Sequence, residues 1–154
     1  YDVVAMGRFP YTSFLGGLTQ EDEQLIIRSL ESVDMEGRGE TPFNALSDGE
    51  KQRVLVAKAL AQQAPVILLD EPTAHLDLPS RIRLMQLLRE LAHKERKTIL
   101  VSTHELDLAL HTADRILLMS EDGVELDTTD HFTECDAFTR AFGMDISSIF
   151  RIQP

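Results

Sequence analysis

The sequence has 154 residues, of which 43% are hydrophobic and 27% are charged, and this composition is typical of one globular domain with its own core. Acidic side chains outnumber basic ones by 26 to 15, and the net charge of −11 argues against binding to nucleic acid or anionic lipid. The aliphatic runs are far shorter than the roughly 20 residues that cross a bilayer. The single cysteine, Cys135, excludes an internal disulfide, and no secretory signal is found. We therefore expect a cytoplasmic protein without direct membrane insertion.

Residues 1–46 are predicted to form a small, all-helical subdomain. Its clearest helix follows Thr19, where apolar residues recur at helical spacing at Leu25, Ile26, Leu30 and Val33. Thr19 and Asp22 have the spacing of a capping box, with aspartate in place of the usual glutamate or glutamine. Pro42 and the glycines near it are expected to separate this subdomain from the next segment.

Residues 47–128 are predicted to form an α/β core. Two apolar runs, 66–69 and 98–101, flank an amphipathic helix that begins near Pro79. This order is typical of a βαβ unit, with parallel strands covered on both faces. A third strand is predicted at 115–120, and the dipeptide Asp122-Gly123 favours a tight turn into a fourth strand, so that the sheet ends in an antiparallel pair. Residues 129–154 are predicted to be a helical tail, to which we assign no role.

Two carboxylates follow the first apolar strand. Asp70 and Glu71 come directly after residues 66–69, at the carboxyl end of a predicted parallel strand, where open α/β sheets bind ligands. Successive strand residues point to opposite sides, so the two carboxylates are expected to have separate functions. The alternative is that an acidic pair simply ends the strand.

A helix start precedes this strand. Ser47 is followed three residues later by Glu50, which predicts a capping box and a helix to about Gln62. The N-terminus of a helix offers unpaired N–H groups and a positive dipole end, both of which attract phosphate. Ser47 can equally be a helix cap and nothing more.

The second apolar strand ends in Ser-Thr-His, which places His104 at its carboxyl end. If the two strands are direct neighbours, about 4.8 Å apart, then Glu71 and His104 open into the same crevice. The other histidines, His75, His93, His111 and His131, show no shared ligand spacing. With one cysteine in the sequence, a structural zinc site has little support.

Taken together, these segments resemble the ABC-type ATPases. Residues 66–77 are similar to the Walker B segment and D-loop of that family almost residue for residue. Residues 46–53 are similar to its signature, usually Leu-Ser-Gly-Gly-Gln, and His104 to its H-loop histidine. The resemblance implies a partial P-loop NTPase core of parallel strands and crossover helices, with a small all-helical lobe.

The resemblance also implies the role of each site residue. Asp70 would hold Mg²⁺ through its water shell, Glu71 would polarise the water that attacks ATP, Asp77 would lie in the D-loop, and His104 would contact the γ-phosphate. The signature residues that would bind the nucleotide are Ser47, Asp48, Gly49 and Glu50. Two of these, the aspartate and the glutamate, depart from the usual signature, and we expect the aspartate to point away from the nucleotide.

The glycine-rich phosphate-binding loop, Gly-x4-Gly-Lys-Ser/Thr, is not found, because none of the four lysines follows a glycine. We therefore expect the chain to be the C-terminal part of a longer subunit whose Walker A loop and Q-loop lie upstream. By itself the chain is expected to bind ATP weakly or not at all. Apolar sheet surface left uncovered would favour self-association.

Residues 3–10 and 73–78 are similar to the subtype that drives uptake of iron–siderophore, haem or cobalamin complexes. This resemblance implies a head-to-tail dimer with a second ATP-binding subunit, and a membrane permease contacted by the helical lobe at the inner face of the cell membrane. One alternative is a non-transport ABC ATPase acting on ribosomes or DNA, which predicts basic arms or long heptad insertions, and neither occurs here. A catalytically silent interaction module is the other alternative.

Overall fold

The computed structural model describes residues 1–12, 17–121 and 123–143. The chain divides into two compact units, Tyr1–Thr103 and His104–Pro154. The α-helices are α1 (Asp2–Ala5), α2 (Gln20–Glu31), α3 (Asp48–Ala61), α4 (Leu78–Lys94), α5 (Leu106–Thr112), α6 (Thr129–Glu134) and α7 (Ala137–Phe142). The strands are β1 (Val66–Asp70), β2 (Thr98–Ser102), β3 (Arg115–Ser120) and β4 (Gly123–Thr128), and two short 3₁₀ helices cover Met6–Tyr11 and Phe43–Ala45.

The N-terminal part of the first unit is helical, as the sequence predicts. Helix α2 begins after Thr19, and the predicted capping box is present: the Asp22 N–H donates to the Thr19 hydroxyl at 3.2 Å, and the Thr19 N–H donates to the Asp22 carboxylate at 3.0 Å. The face of α2 that carries Ile26 and Leu30 is buried. This burial, added to the cap, accounts for the position of the helix.

A buried arginine joins three segments of this helical part. The Arg8 guanidinium lies 2.7 Å from the Asp22 carboxylate and donates at 2.8 Å to the carbonyl of Ala61, in the last turn of α3. A cation at this end of a helix satisfies carbonyl groups that have no partner within the helix. The chain also approaches α3 closely at Gly7, where an added Cβ would lie 2.4 Å from the Lys58 carbonyl oxygen.

The predicted βαβ unit is confirmed. Strands β1 and β2 pair in parallel with Val66 opposite Thr98 and Asp70 opposite Ser102, and α4 connects them. Helix α4 buries a stripe of apolar side chains at Leu84, Leu88 and Leu91, and on β1 only the Ile67 side chain is buried, at 4% exposure. The prediction that both faces of the strands are covered is wrong for the described residues, since Leu68 is 71% and Leu100 47% exposed.

The second unit contains the predicted hairpin. Strands β3 and β4 pair antiparallel, with Leu118 opposite Glu125, but among the described residues they form a separate two-stranded sheet. The turn residue Asp122 lies outside the described residues. A core of Leu118, Phe132, Ala137 and Phe138 packs α6 and α7 against the hairpin, and Leu106 and Leu110 of α5 pack against it. The predicted helical tail is therefore represented by α6 and α7, while residues 144–154 lie outside the description.

Two further properties of the described residues bear on function. No helix within residues 1–12, 17–121 and 123–143 is both long enough and apolar enough to cross a membrane. The boundary between the two compact units falls between Thr103 and His104. The functional division predicted from the sequence, into residues 1–46, 47–128 and 129–154, stays a prediction.

Candidate nucleotide site

The two strand ends of the first unit are joined at Asp70 and Ser102. The Ser102 hydroxyl donates to Oδ1 of Asp70, and the Glu71 N–H donates at 3.1 Å to both the carbonyl and the hydroxyl oxygen of Ser102. These contacts follow directly from the parallel register, which places Ser102 opposite Asp70. The Asp70 and Glu71 side chains are exposed, so a cation or a water molecule can reach both carboxylates.

The backbone turns sharply after β1. Glu71 has a φ of +42° and His75 a φ of +66°, both in the left-handed region that non-glycine residues seldom adopt. Such conformations cost about 1–3 kcal/mol each and persist where the surrounding structure holds them. The turn is held by a 3.0 Å hydrogen bond from the Ala74 N–H to the Glu71 carbonyl, and Thr73 within it is buried. The position of Glu71 is therefore imposed by the fold.

Helix α3 begins with the predicted capping box. The Glu50 N–H donates to the Ser47 hydroxyl at 3.3 Å, while the Glu50 carboxylate accepts from the Ser47 N–H and hydroxyl, both at 2.9 Å. The Arg38 guanidinium donates to the other carboxylate oxygen of Glu50. The backbone N–H of Ser47, then the Arg38 and Ser47 side chains, lower the pKa of Glu50 to about 2. Glu50 is therefore ionised at neutral pH.

Asp48 also has a cationic partner. Its carboxylate lies 2.9 Å from the Lys51 ammonium on the first turn of α3. Both acidic residues that depart from the usual signature are thus paired with a basic side chain. The pairing offsets the negative charge that they bring to the start of the helix.

The signature, Walker B and D-loop segments meet in the first unit. The side-chain amide of Gln52 in α3 donates at 2.8 Å to the carbonyl of Pro72, directly after Asp70 and Glu71. A Cβ at Gly49 would lie 3.6 Å from the Ser80 hydroxyl, so the starts of α3 and α4 are adjacent. Three segments that are separate in the sequence therefore form one surface.

Asp77 occupies the N-cap of α4. The Ser80 N–H donates to its carboxylate at 3.2 Å, and hydrogen bonding by the Ser80 side chain is the main cause that lowers the pKa of Asp77. The family resemblance places Asp77 in the D-loop, but the helix cap at Asp77 was not predicted from the sequence. The signal was present, because Asp77 is followed by a proline two residues later, at the first turn of a helix.

His104 is the first residue of the second unit and is exposed. Its predicted proximity to Glu71 stays a prediction. Sequence reasoning overlooked Ser102 and Gln52, which make the contacts that connect the predicted site residues. Ser102 could have been found by aligning the two strands so that their polar ends coincide, whereas Gln52 gave no signal beyond its place on α3.

Comparison with known proteins decides the family. A protein-family model described as "AAA domain, putative AbiEii toxin, Type IV TA system" matches residues 10–110, about two-thirds of the chain. An uncharacterized ABC transporter ATP-binding protein of Methanocaldococcus jannaschii is 45% identical over 119 residues, covering 77% of this chain and 41% of that protein. The chain belongs to the family of ABC transporter ATP-binding proteins. Its resemblance to that family, first inferred from the signature and Walker B segments, is thereby confirmed.

Two further proteins similar to this chain are described as an achromobactin transport protein and as a metal-chelate type ABC transporter. The achromobactin transport ATP-binding protein of Dickeya dadantii is 41% identical over 115 residues, covering 75% of this chain and 43% of that protein. A solved structure described as an inward-facing conformation of a putative metal-chelate type ABC transporter has a TM-score of 0.84 at 28% identity, covering 92% of this chain and 57% of that one. The chain thus forms part of an ABC ATPase domain, which has the P-loop NTPase fold, and it spans 41%, 43% and 57% of the length of these three proteins.

Proposed function

We propose that this chain is the later part of the ATP-binding and ATP-hydrolysing subunit of an ABC importer for iron–siderophore or similar chelates. The observation that carries the proposal is the surface on which the signature start, the Walker B strand end and the D-loop meet, connected by the Gln52–Pro72 hydrogen bond. The achromobactin and metal-chelate transporters among its relatives support the importer assignment.

Asp70 and Glu71 divide the hydrolysis chemistry. Asp70 offers exposed carboxylate oxygens, the hard donors that Mg²⁺ prefers, and Ser102 orients one of them. The donor set therefore fits magnesium, which when bound would offset phosphate charge. Glu71 polarises the attacking water and accepts its proton as the water oxygen bonds to the γ-phosphorus of ATP. The bond between the γ-phosphorus and the bridging oxygen of the β-phosphate breaks, which gives ADP and phosphate. The left-handed turn holds the Glu71 backbone in place for this function.

The signature residues act on the nucleotide of a second copy. In the proposed head-to-tail dimer, Ser47 and the N–H groups of Asp48, Gly49 and Glu50 contact the γ-phosphate bound at the partner's Walker A loop. His104 contacts the γ-phosphate from the Walker B side. Asp77 caps α4, whose Ser80 lies near Gly49 of the signature segment, and we therefore assign Asp77 to the boundary of the proposed dimer.

The subunit is proposed to be cytoplasmic and to bind the inner face of the membrane through a permease that its helical lobe contacts. The first alternative is a non-transport ABC ATPase, and the second is a catalytically silent interaction module. Affinity purification of the full-length subunit from membranes separates them: a polytopic permease in the complex supports the importer, and ribosomes in its place contradict it.

The proposed chemistry is tested by Glu71→Gln in the full-length subunit. Because the amide cannot accept the proton of the attacking water, ATP hydrolysis should slow by roughly 10² to 10⁴-fold while ATP binding is kept. Steady-state phosphate release and equilibrium nucleotide binding measure the two properties.

The matched control for this test is Glu90→Gln, which makes the same chemical change at an exposed position of α4. This variant should hydrolyse ATP at the unaltered rate. Turnover that is equally fast in Glu71→Gln would remove Glu71 from the role of general base.

A further inference from the structure

Three side chains of different chemistry meet in the second unit, outside the nucleotide site. A carboxylate oxygen of Glu125, a ring nitrogen of His131 and the sulfur of Cys135 lie within 4.8 Å of one another. From the sequence alone a zinc site has little support, since His131 shares no ligand spacing with the other histidines. The third ligand comes instead from β4, which no local spacing reveals.

Regular elements hold all three side chains. His131 and Cys135 are one helical turn apart at the end of α6, and the Cys135 N–H donates at 3.0 Å to the His131 carbonyl. Phe132, only 1% exposed, anchors α6 in the core, and its ring meets the His131 imidazole edge-on with centroids 5.6 Å apart. Cys135 is half-buried against the same core, and Glu125 is fixed by the β3–β4 pairing.

Both ring nitrogens of His131 face carboxylates. Nε2 lies 3.1 Å from Oε1 of Glu125, and Nδ1 lies 3.8 Å from Oδ2 of Asp127, two residues further along β4. A histidine that binds a metal through one nitrogen commonly donates the other N–H to a carboxylate, which fixes the ring. Asp127 lies on this side of the ring, and a shift of roughly 1 Å would bring its carboxylate within hydrogen-bond distance of Nδ1.

A surface ion pair between His131 and Glu125 is the simpler interpretation. The Arg140 guanidinium also lies 3.7 Å from Oε2 of Glu125, so this carboxylate already has a cationic neighbour. An ion pair does not account for the position of the thiol, however, because the pair involves only the imidazole and the carboxylates. The two carboxylate oxygens are distinct, and Arg140 approaches the one that does not face the imidazole.

We propose that Glu125, His131 and Cys135 bind one divalent transition-metal ion of the zinc class. Nitrogen, thiolate and carboxylate donors are the set that zinc prefers, and bond lengths of roughly 2.0–2.3 Å place two of its donors roughly 3.5 Å apart. The three ligand atoms lie within 4.8 Å of one another. Side-chain rotations that move these atoms by about 1 Å bring them to the donor–donor distance of a zinc site. Three protein ligands leave one tetrahedral position for water, and the ion joins α6 to β4.

The experiment titrates the metal-free chain with Co²⁺, whose bond to a thiolate absorbs in the near ultraviolet. One equivalent should produce this absorption, and Zn²⁺ should abolish it by displacement. Cys135→Ser should remove the band, and His131→Gln and Asp127→Asn should weaken binding about tenfold or more. A magnesium-type site at Asp70 contains no thiol and gives no such band.

The matched control is His111→Gln. His111 forms a similar pair with a carboxylate one helical turn away, 3.4 Å from Asp107 in α5, and its removal should leave Co²⁺ binding unchanged. Far-ultraviolet circular dichroism of each metal-free variant checks its fold. If Cys135→Ser unfolds, Asp127→Asn still tests the site, because this variant keeps all three ligands. The proposal is overturned if no thiolate band forms, if the urea-unfolded chain gives the same band, or if folded His131→Gln binds as tightly as the unaltered chain.

Discussion

The Glu50 carboxylate lies where a phosphate would approach the signature helix. It accepts two hydrogen bonds from Ser47 and one from Arg38, and its pKa of about 2 keeps it ionised at neutral pH. A carboxylate held at a helix N-terminus interacts favourably with the helix dipole and occupies donors that a phosphate would otherwise use. To bind phosphate, the Ser47 hydroxyl must therefore release the Glu50 carboxylate and donate to the phosphate instead.

We expect the charge of Glu50 to affect the stability of the fold. Because the pKa of Glu50 is lower in the folded chain than its ordinary value of 4.5, its ionisation stabilises the fold above about pH 4.5, and this contribution is lost as pH falls toward about 2. We expect Glu50→Gln to lower the free energy of unfolding near neutral pH, with a difference that shrinks in acid. Urea unfolding over a pH series measures it, with Glu90→Gln as the control. A difference that does not change with pH would contradict this assignment.

Two helices begin with the same reciprocal capping arrangement, and only one of them carries a proposed function. Thr19 caps α2 and Ser47 caps α3, each with an acidic residue at the third helical position. Both were predicted from the sequence, because the arrangement depends only on residues three positions apart. A comparison of Thr19 with Ser47 therefore distinguishes the contribution of a cap to stability from the proposed binding of phosphate.

We expect Thr19→Ala and Ser47→Ala each to lower the free energy of unfolding by about 1 kcal/mol, the usual effect of removing a side-chain cap. In the full-length subunit, only Ser47→Ala should also reduce ATP turnover. Chemical unfolding of this chain and phosphate release by the full-length subunit provide the two measurements. Equal loss of turnover in both variants would show that the Ser47 effect is one of stability alone.

At the scale of the whole chain, the β1–β2 sheet of the first unit presents an apolar face to solvent. Leu68 and Leu100 project from the β1–β2 pair with 71% and 47% of their surface exposed, and Val66 beside them is also exposed. Exposed apolar patches and open strand edges favour association. This agrees with the uncovered sheet surface expected from the sequence, although the apolar run of β1 alone suggested burial on both sides.

We expect the chain to self-associate through this face as its concentration rises, and Leu68→Lys to suppress the association. Ile27→Lys is the matched control, because Ile27 is 49% exposed but lies on α2 and not on the sheet. Sedimentation velocity over a concentration series gives the mass of each species. Association that persists unchanged in Leu68→Lys would assign it to another surface.

The sequence by itself determined the features that depend on neighbouring residues. The caps at Thr19 and Ser47, the βαβ order and the acidic strand end at Asp70 and Glu71 were all predicted, because helix and strand periods and three-residue spacings are local properties. The family followed from the same segments, whose residues match the known signature and Walker B patterns closely. Local order was therefore sufficient for the fold class and for most candidate site residues.

Tertiary structure decided the contacts between distant segments. The Ser102–Asp70 contact depends on strand register, and the Gln52–Pro72 hydrogen bond depends on how α3 packs beside the turn after β1. The Glu125, His131 and Cys135 cluster likewise depends on the packing of α6 on β4. Such contacts arise when apolar faces are buried together, and burial imposes distances between residues that the order of the chain alone does not specify.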